Sequence, residues 1–535
     1  MDEEILKTIR EKGLLLEKEV FDLIKNLDTN LARELLEGIE SVSGQKMITR
    51  NTLSKNLGIV KNVVSKMQTE EKGVIESIIV KLGISLEITK ERKVVEKTEE
   101  KKSALDYKIF YADTKTDKKL EVKDFTGHFR GRYQALQRIL MQRLELQNNL
   151  VSIGKIGGDR QNLCFIGMVS EKRVTKNKNL IVKFEDLTGE ISALVKFGSE
   201  VFEKADELQL DDVVGVKASG NRELAFIYDI FYPDSFVQEK TRFDEDACIA
   251  FLSDIHSGGE RHLGKEFDKF LDWLNSDDET AKKIKYIFVV GDNIDGVGVF
   301  PGQESVLQLK TTKEQYKRLA DYFKRIPKNI TIFMCPGQHD ATRVAEPQPI
   351  IGKRYAPDLY DVENLILVTN PTLVKLVEKE KEFRVLMYHG ASIHNLISEI
   401  KELRIMKAHK SPAKAVKHML KRRHLASSHG APGVVYIPSA EKDPMVINEV
   451  PDILCTGEVH RLDIENYNGV LILTGSCWQA QTPYEEKVGN IPDPCKVPVF
   501  NLKTRELKIF FFGEDDKDYG SVEGRGNVKV EEKAA

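Results

Sequence analysis

The chain lacks any hydrophobic run that approaches the roughly 20 apolar residues of a membrane-spanning helix. Its first residues, MDEEILKTIREKG, are acidic and lack the apolar core of a signal peptide, so we expect a cytoplasmic protein with no membrane partner. Cysteine is scarce, at 6 in 535 residues, and no two cysteines form a C-x-x-C pair. The sequence therefore indicates neither a zinc ribbon nor a disulfide framework.

The chain also lacks a strong excess of either charge, since its formal net charge is −3. Global charge therefore supplies no attraction to nucleic acid, and a DNA-dependent role would require a local basic surface or a partner subunit. A chain of 535 residues is too long for a single hydrophobic core, so we expect three or four domains.

The C-terminal half carries five short polar motifs, each at the end of an apolar run. The apolar runs are CIAFLSD, YIFVVGD, TIFMCPG, FRVLMYHG and DILCTGEVH. Short runs rich in Ile, Val and Phe and bounded by turn residues are typical of buried strands. The motifs are Asp254-Ile255-His256, Gly291-Asp292-Asn293, Gly337-Gln338-His339-Asp340, Tyr388-His389-Gly390 and Gly457-Glu458-Val459-His460.

Aspartate and histidine at the ends of several strands can converge at one edge of a sheet, where open α/β folds place their sites. A single aspartate after a strand is usually a turn or helix cap, and a single histidine is usually a satisfied polar residue. Five such strand ends in one chain are better explained by a metal site. Imidazole nitrogen and carboxylate oxygen suit zinc, manganese and iron, and two such ions can clamp a phosphate during hydrolysis.

The motifs resemble those of the calcineurin-like metallophosphoesterase superfamily. The resemblance implies two divalent metal ions bridged by Asp292. The first ion would be held by Asp254, His256, Asp292 and His460, and the second by Asp292, Gln338, His389 and Glu458. His339 matches the family's catalytic histidine, which is not a ligand and acts on the leaving oxygen.

Two positions depart from the family pattern, and both would fall in the second site. Gln338 stands where the family has Asn, and Glu458 stands where it has His. Both residues still offer oxygen ligands, so we expect the second site to favour manganese or magnesium over zinc. We expect manganese in both positions, with magnesium, zinc and iron as alternatives. The two departures also leave a partial loss of activity open.

A narrower resemblance covers residues from about 125 to about 512. The segments FIGMVSEKRVTKNKNLIVKFEDLTGEISALV, MLKRRHLA and INEVPDILCTGEVHRLDIENYNG are similar to the small subunits of archaeal family D DNA polymerases. The same architecture resembles the B-subunits of eukaryotic replicative polymerases, whose metal motifs are degraded.

The resemblance implies a subunit of a heterodimeric replicative DNA polymerase that carries a metal-dependent 3′–5′ exonuclease for proofreading. Its partners would be the large catalytic subunit and the primer 3′ end of DNA, with the sliding clamp or other replication proteins as further candidates. Two alternatives remain. The chain could be a catalytically inactive scaffold subunit, or a stand-alone phosphoesterase that acts on a small molecule.

We predict an α+β multidomain protein with an N-terminal helical domain, an OB-fold β-barrel and a calcineurin-like phosphoesterase domain. Residues 1–86 have apolar residues near a helical period, interrupted at Ser41, Ser43 and Gly44. Ten of the thirteen residues in KERKVVEKTEEKK are charged, so residues 87–120 are predicted to be a linker. Residues 121–150 are predicted to form an amphipathic helix. We interpret its Arg130, Arg132, Arg138 and Arg143 as a solvated face, with a phosphate-contacting helix as the alternative.

Residues 151–240 contain five short strands with a longer excursion between the third and fourth, which fits an OB-fold. Residues 245–512 hold the phosphoesterase domain. The family resemblance implies that it is a β-sandwich flanked by helices. Residues 513–535 are charged and are predicted to be a disordered tail.

Overall fold

The computed structural model of the chain describes scattered residues between 9 and 52, and residues 105–114, 119–147, 149–428, 430 and 434–514. The chain divides into two compact units, residues 1–101 and 102–535. Residues 53–86 of the predicted helical domain, residues 87–101 of the predicted linker and the tail beyond residue 514 lie outside the described residues. In the part of the chain that is described, no helix is long and apolar enough to span a membrane.

The N-terminal unit contains helix α1 (Thr29–Ser43) and a two-stranded parallel sheet of β1 (Leu15–Leu16) and β2 (Met47–Ile48). Ala32, Leu36 and Ile39 are buried at helical spacing on α1. The helix ends at Ser43, where the apolar period breaks. The all-helical expectation was wrong at the two strands, because each is too short to leave a period-2 pattern in the sequence.

The barrel is formed by residues 161–231 of the second unit. Its strands close in the order β4-β5-β6-β8-β7, and helix α4 (Phe202–Asp206) lies between β6 and β7 in sequence. The buried residues of β5 and β6 alternate along each strand, whereas β4 and β7 also bury residues on their outer faces. Val, Leu, Ile, Phe and Ala side chains fill the barrel interior. Its strands are β4 (Gln161–Val174), β5 (Leu180–Glu185), β6 (Glu190–Val195), β7 (Val213–Gly220) and β8 (Ala225–Phe231).

Two helices precede the barrel in sequence, α2 (Val122–Leu140) and the short α3 (Leu144–Gln147). The predicted single helix over 121–150 is therefore interrupted after Leu140. Tyr133, Leu136 and Leu140 pack against Cys164, Ile166 and Met168 of the barrel. The interpretation of Arg132 as a solvated residue was wrong. Its side chain is buried and paired with Asp443, because the polar side of α2 also faces protein.

Two six-stranded sheets form what we call the sandwich, and a shared core of Phe, Val and Leu side chains lies between them. The first sheet has the order β12-β11-β10-β9-β18-β19 and the second has the order β16-β17-β15-β14-β13-β3. The first-sheet strands are β9 (Cys248–Leu252), β10 (Ile284–Val290), β11 (Thr331–Cys335), β12 (Leu365–Leu367), β18 (Lys496–Asn501) and β19 (Leu507–Phe511). The second-sheet strands are β3 (Leu105–Tyr111), β13 (Thr372–Glu378), β14 (Lys381–Met387), β15 (Ile453–Thr456), β16 (Asp463–Tyr467) and β17 (Val470–Thr474).

Helices cover the outer faces of the sandwich. Helices α5 (Gly264–Leu274) and α7 (Thr312–Phe323) share a core with the first sheet, and α6 (Glu279–Lys283) lies between them in sequence. Helices α8 (Ile393–Glu399), α9 (Lys401–Ile405) and α10 (Ala413–Arg422) share a core with the second sheet. Helix α11 (Pro483–Val488) follows β17. Single 3₁₀ turns occupy Ile153–Lys155, Gln303–Val306, Pro357–Asp361 and Ala408–Lys410.

The predicted linker over 87–120 was wrong for strand β3. Residues Leu105–Tyr111 pair antiparallel with β13 along its whole length, from Leu105 opposite Glu378 to Tyr111 opposite Thr372. Leu105, Tyr107 and Ile109 pack into the core between the two sheets. The sequence LDYKIFY places an apolar residue at every second position, which is typical of a strand. The highly charged sequence before it made the whole segment look like a linker.

Candidate metal centre

The C-terminal ends of parallel strands bring the motif residues together. Strands β9, β10 and β11 are mutually parallel in the first sheet, as are β14, β15 and β17 in the second. Asp254, Asp292 and Gly337 follow the strands of the first sheet by two residues, while His389 and Glu458 follow β14 and β15 in the same way. The two sheets therefore deliver their polar residues to one edge of the sandwich.

The backbone of these loops is held in an uncommon conformation. Five of the predicted ligands have positive φ angles in the left-handed region, although none is glycine. Such a conformation costs on the order of 1–3 kcal/mol per residue and is found where the surrounding structure enforces it, most often at functional sites. The five residues are Asp254 (49°), His256 (48°), Asp292 (45°), Glu458 (73°) and His460 (57°).

Asp340 ties two of the loops together from beneath. Its Oδ2 accepts hydrogen bonds from the Asn293 side-chain amide at 2.8 Å and from the Gly337 N–H at 2.9 Å. Its Oδ1 accepts from the Tyr316 hydroxyl at 2.9 Å. Burial raises the pKa of Asp340 to about 6 in spite of these donors. The carboxyl group therefore fixes the loops after β10 and β11 relative to each other.

The first group of possible ligands is Asp254, His256 and His460, whose donor atoms lie within 4.8 Å of one another. The two Nε2 atoms of His256 and His460 are 3.1 Å apart, and His460 Nε2 is 3.6 Å from Asp254 Oδ1. Burial raises the pKa of Asp254, which means that its charged form is costly without a cation. This is the set expected to hold the first ion, with Asp292 Oδ2 3.9 Å from His256 Nε2.

The second group is Asp254, Asp292 and His389. His389 Nε2 lies 3.3 Å from Asp292 Oδ1 and 3.2 Å from Glu458 Oε2. Burial opposes protonation of His389, but Asp292 and Glu458 outweigh it and hold the pKa of His389 well above its usual range. Asp292 therefore faces both groups, the position that a bridging carboxylate requires. Glu458 lies beside His389, where the family has histidine.

A third group joins His256, Asp295 and His339. His339 Nδ1 lies 2.7 Å from the Asp295 carbonyl oxygen, and its Nε2 lies 3.9 Å from Asp292 Oδ2. The backbone N–H of His339 also donates to Asp292 Oδ1 at 2.9 Å. The hydrogen bond at Nδ1 directs Nε2 towards the acidic centre, beside the first two groups.

The donor set fits divalent metal ions. Asp254 Oδ2 is buried and makes no hydrogen bond with any described residue. The buried His389 Nε2 faces the carboxylate oxygens of Asp292 and Glu458 at ion-pair distance. The missing side chains of two glycines leave room beside them. A Cβ at Gly457 would lie 2.5 Å from Asp254 Oδ2, and a Cβ at Gly337 would lie 2.7 Å from His389 Nε2. A buried carboxylate oxygen without a hydrogen bond and a buried imidazole nitrogen that faces two carboxylates, both next to enforced space, are what a metal site presents.

Comparison with known proteins places the chain in a family. Residues 249–462 match the sequence profile of the DNA polymerase alpha/epsilon B subunits. The chain is 35% identical over 398 residues to the DNA polymerase II small subunit of Methanothermobacter thermautotrophicus, covering 73% of this chain and 80% of that protein. The small subunit of Thermoplasma acidophilum is 33% identical over 409 residues, covering 76% of this chain and 80% of that protein. The small subunit of Pyrococcus furiosus is 34% identical over 397 residues, covering 72% of this chain and 63% of that protein.

The chain belongs to the family of archaeal DNA polymerase II small subunits, the small subunits of family D DNA polymerase. All seven predicted ligands and His339 lie within the residues that match the sequence profile. In this small subunit, six of the seven predicted ligands converge through close contacts between their side chains. The seventh, Gln338, is half-buried between Gly337 and His339, and its side chain makes no hydrogen bond with a described residue.

The sequence interpretation missed the carboxylates that orient the histidines of this small subunit. His460 Nδ1 lies 2.9 Å from Glu485 Oε1, and His256 Nδ1 lies 3.3 Å from Asp295 Oδ1. Burial opposes protonation of His460, but Glu485 and Asp254 raise its pKa to about 9. A carboxylate on the far nitrogen fixes the tautomer and direction of a ligating imidazole. Asp295 could have been suspected from its position three residues after Asp292 in the same loop.

Proposed function

We propose that the chain is the small subunit of a two-subunit DNA polymerase and that its metal centre removes nucleotides from DNA 3′ ends. The observation that carries the proposal is that the carboxylates of the centre have no Lys or Arg partner among the described residues. Among the described residues, no Lys or Arg side chain pairs with Asp254, Asp292 or Glu458, and the nearby histidines take up protons instead. Such a centre favours divalent cations, and paired cations favour phosphodiester hydrolysis.

Manganese is the ion that the donor set favours in the second site. Glu458 offers a carboxylate oxygen where the family has an imidazole nitrogen, and Gln338 offers an amide oxygen on a side chain longer than the family's Asn. Oxygen-rich sites suit manganese and magnesium better than zinc. When bound, the ions would acidify a water molecule and neutralise the phosphate charge. His256 and His460 would keep their orientation through Asp295 and Glu485.

His339 is placed to donate a proton. Burial opposes its protonation, but Asp292 and the hydrogen bond to the Asp295 carbonyl outweigh it, so the pKa of His339 is raised. The carbonyl occupies Nδ1, which leaves Nε2 to donate to the 3′-oxygen that leaves the scissile phosphate. His339 therefore acts on the reacting group rather than on the fold.

The family supplies the partner in this proposal. Its members are named small subunits, so a large catalytic subunit would carry the DNA synthesis site. The exonuclease would then remove a mismatched primer end that frays from the large subunit. The sliding clamp and other replication proteins would be reached through the assembled polymerase.

A nuclease assay with the full chain tests the proposal, with and without the large subunit. With manganese and an end-labelled mismatched primer, the wild type should shorten the strand from its 3′ end. Asp292→Asn should lose activity and bound metal because it removes the charge facing both groups. His339→Ala should keep its metal and lose about 10²–10⁴-fold in turnover. Asp321→Asn, an exposed aspartate on α7, is the matched control.

Undiminished cleavage by Asp292→Asn, or no cleavage by the wild type with any divalent ion, would exclude the proposal. The second result would favour the scaffold alternative. One observation supports that alternative. Glu458 Oε1 lies 3.4 Å from His394 Nε2 while Oε2 lies 3.2 Å from His389 Nε2, so an ion pair within the protein could take the place of the second metal ion.

A further inference from the structure

An open cavity of about 560 Å³ is lined by the segment that follows His339 in sequence. Its lining begins at Ala341, two residues after His339, and includes Thr342, Ile350 and Tyr355. Cavities of roughly 300–1,000 Å³ are the size that small-molecule groups occupy in proteins. The function proposed above gives this cavity no role.

Exposed apolar side chains lie on two segments, one that follows His339 in sequence and one in the loop after Asp295. Val344, Ile350 and Tyr355 are exposed in the segment after His339. Val297, Val299 and Phe300 are exposed in the loop after Asp295. That loop packs on the main chain of His339, since a Cβ at Gly296 would lie 2.5 Å from the His339 carbonyl oxygen. Exposed apolar residues are a common feature of binding surfaces, and these lie on the two segments that follow His339 or pack on its main chain.

The segment that contributes Gly352 and Tyr355 to the cavity carries cations beside its aromatic rings. The Arg354 guanidinium lies 5.9 Å from the Tyr355 ring centroid, and Lys353 Nζ lies 5.8 Å from the Tyr360 ring centroid. Rings that alternate with cations suit single-stranded nucleic acid, because the bases stack on the rings and the phosphates face the cations. Rings beside cations favour a ligand that carries both aromatic groups and negative charge, as a nucleic acid does.

Buried hydrogen bonds join the cavity segment to the metal centre. Gln348 Nε2 donates to the Gly337 carbonyl at 2.9 Å and to the Arg343 carbonyl at 3.0 Å. Asn370 Nδ2 donates to Gln348 Oε1 at 2.7 Å, and Asn370 Oδ1 accepts from the His389 N–H at 3.0 Å. Gln348 and Asn370 are both buried. The cavity is thus held in a fixed position relative to His339 and His389.

We propose that this cavity binds an unpaired base at the 3′ end of single-stranded DNA, with Tyr355 stacking on the base. The inference rests on the proposed exonuclease function, for which it supplies the choice of substrate. A frayed, unpaired end can place a base in the cavity, whereas a paired end cannot do so without breaking the pair.

The test is a binding measurement that needs no cleavage. The probe is a short oligodeoxynucleotide with the fluorescent base 2-aminopurine at its 3′ end, mixed with the full chain in EDTA. The wild type should quench the fluorescence by stacking. Tyr355→Ala should abolish the quenching and weaken affinity about tenfold to a hundredfold, whereas Tyr355→Phe should retain both. Tyr228→Ala is the matched control, because Tyr228 is 53% exposed on the barrel and Tyr355 is 46% exposed.

Three results would overturn the inference. Tyr355→Ala could bind and quench like the wild type. Tyr228→Ala could lose binding instead, which would put the base site on the barrel. A blunt duplex with the same terminus, or the free 2-aminopurine nucleotide, could be bound as well as the single strand.

A hydrolysis arm separates this inference from the exonuclease proposal. With manganese, Tyr355→Ala should lose most of the wild type's preference in kcat/KM for a single strand with a normal 3′ base over the same strand with an abasic 3′-terminal nucleotide. A wild type that cleaves neither substrate would refute the exonuclease, while the fluorescence result would still decide the base site.

Discussion

Two buried clusters of histidine and aspartate in this chain have the same residue types and opposite electrostatics. In the first, the metal centre, the ion-pair partners of Asp254, Asp292 and Glu458 among the described residues are all histidines. In the second, Asp443 accepts from Arg132 Nε at 2.6 Å and lies 2.7 Å from His424 Nε2. The second cluster contains its own permanent cation.

The pKa values follow from that difference. Burial, with Arg132 next in effect, lowers the pKa of His424 to about 4, so this histidine stays neutral. In the metal centre the pKa of His389 and of His460 is raised, because carboxylates without another cation outweigh burial. None of His128, Arg132, His424 and Asp443 has a positive φ angle, unlike five residues of the metal centre. In the metal centre the positive charge beside the buried carboxylates comes from protons bound to histidines, and metal ions can replace those protons.

The largest expected effect is on stability at the second cluster. Asp443→Asn would leave the buried Arg132 guanidinium without its carboxylate, which should lower the free energy of unfolding by about 3–5 kcal/mol. Urea unfolding of the full chain in EDTA measures this loss, with Asp321→Asn expected to stay within about 0.5 kcal/mol of the wild type. A loss below about 1 kcal/mol would mean that hydrogen bonds such as the one to the Ser427 carbonyl satisfy Arg132 without Asp443.

The metal centre should respond to pH, and the Asp443 cluster should not. The folded pKa of His460 is about 9, above its unfolded value. Its proton therefore stabilises the metal-free fold fully below about pH 6.5, and this contribution is lost as the pH rises towards 9. Metal must displace the proton, so manganese affinity should rise about tenfold per pH unit across this window for each proton released.

Calorimetric titration with manganese at several pH values measures this rise. Over the same window His424 should release no proton, since its pKa is about 4. A flat pH dependence of manganese affinity would show that metal binding does not involve His460.

A smaller effect is expected when a charge is removed from the metal centre. Burial raises the pKa of Asp254, so its charged form is disfavoured in the metal-free protein. Asp254→Asn keeps an oxygen for the Glu458 N–H and should leave stability in EDTA unchanged or higher by up to about 1 kcal/mol. Manganese should raise the melting temperature of the wild type and not of the variant. Destabilisation like that of Asp443→Asn would erase the distinction between the clusters.

The smallest effect is expected from restoring the family's ligand types. Gln338→Asn combined with Glu458→His should keep or modestly raise nuclease activity, because the loss of one negative charge makes the second ion a stronger Lewis acid. The imidazole should also broaden the metal preference towards zinc. Activity across manganese, magnesium and zinc measures both. A dead double variant beside an active wild type would show that Gln338 and Glu458 form a ligand set of their own.

The residues that follow strands could be predicted, and the residues that support them could not. Asp254, Asp292 and His389 each end an apolar run, so order and spacing along the chain indicate one edge of a sheet. For Glu485 the sequence indicates a structural role and not a place in the metal centre. Its Oε2 completes a capping box with Thr482, a pattern readable as a helix start, while Oε1 reaches His460 across 25 positions of sequence. Only the folded chain shows that one carboxylate does both.

The burial of charged side chains also could not be predicted from the sequence. The helical period of α2 identified Tyr133, Leu136 and Leu140 correctly as apolar contacts. It carried no information about Arg132, because periodicity describes one helix and not the Asp443 segment packed on its polar side. Strand β3 was missed for a related reason, since alternation over seven residues is weak beside a highly charged neighbouring segment.

Strand β3 also makes the sandwich discontinuous along the chain. Its residues 105–111 come before the barrel, while its partner β13 lies beyond it, so the barrel is an insertion in sequence within the sandwich. A fragment begun at residue 240 would lose the outermost strand of the second sheet and leave the backbone of Thr372–Glu378 open to pairing with another molecule. The smallest piece of this chain that can keep both sheets whole therefore starts before Leu105 and carries the barrel with it.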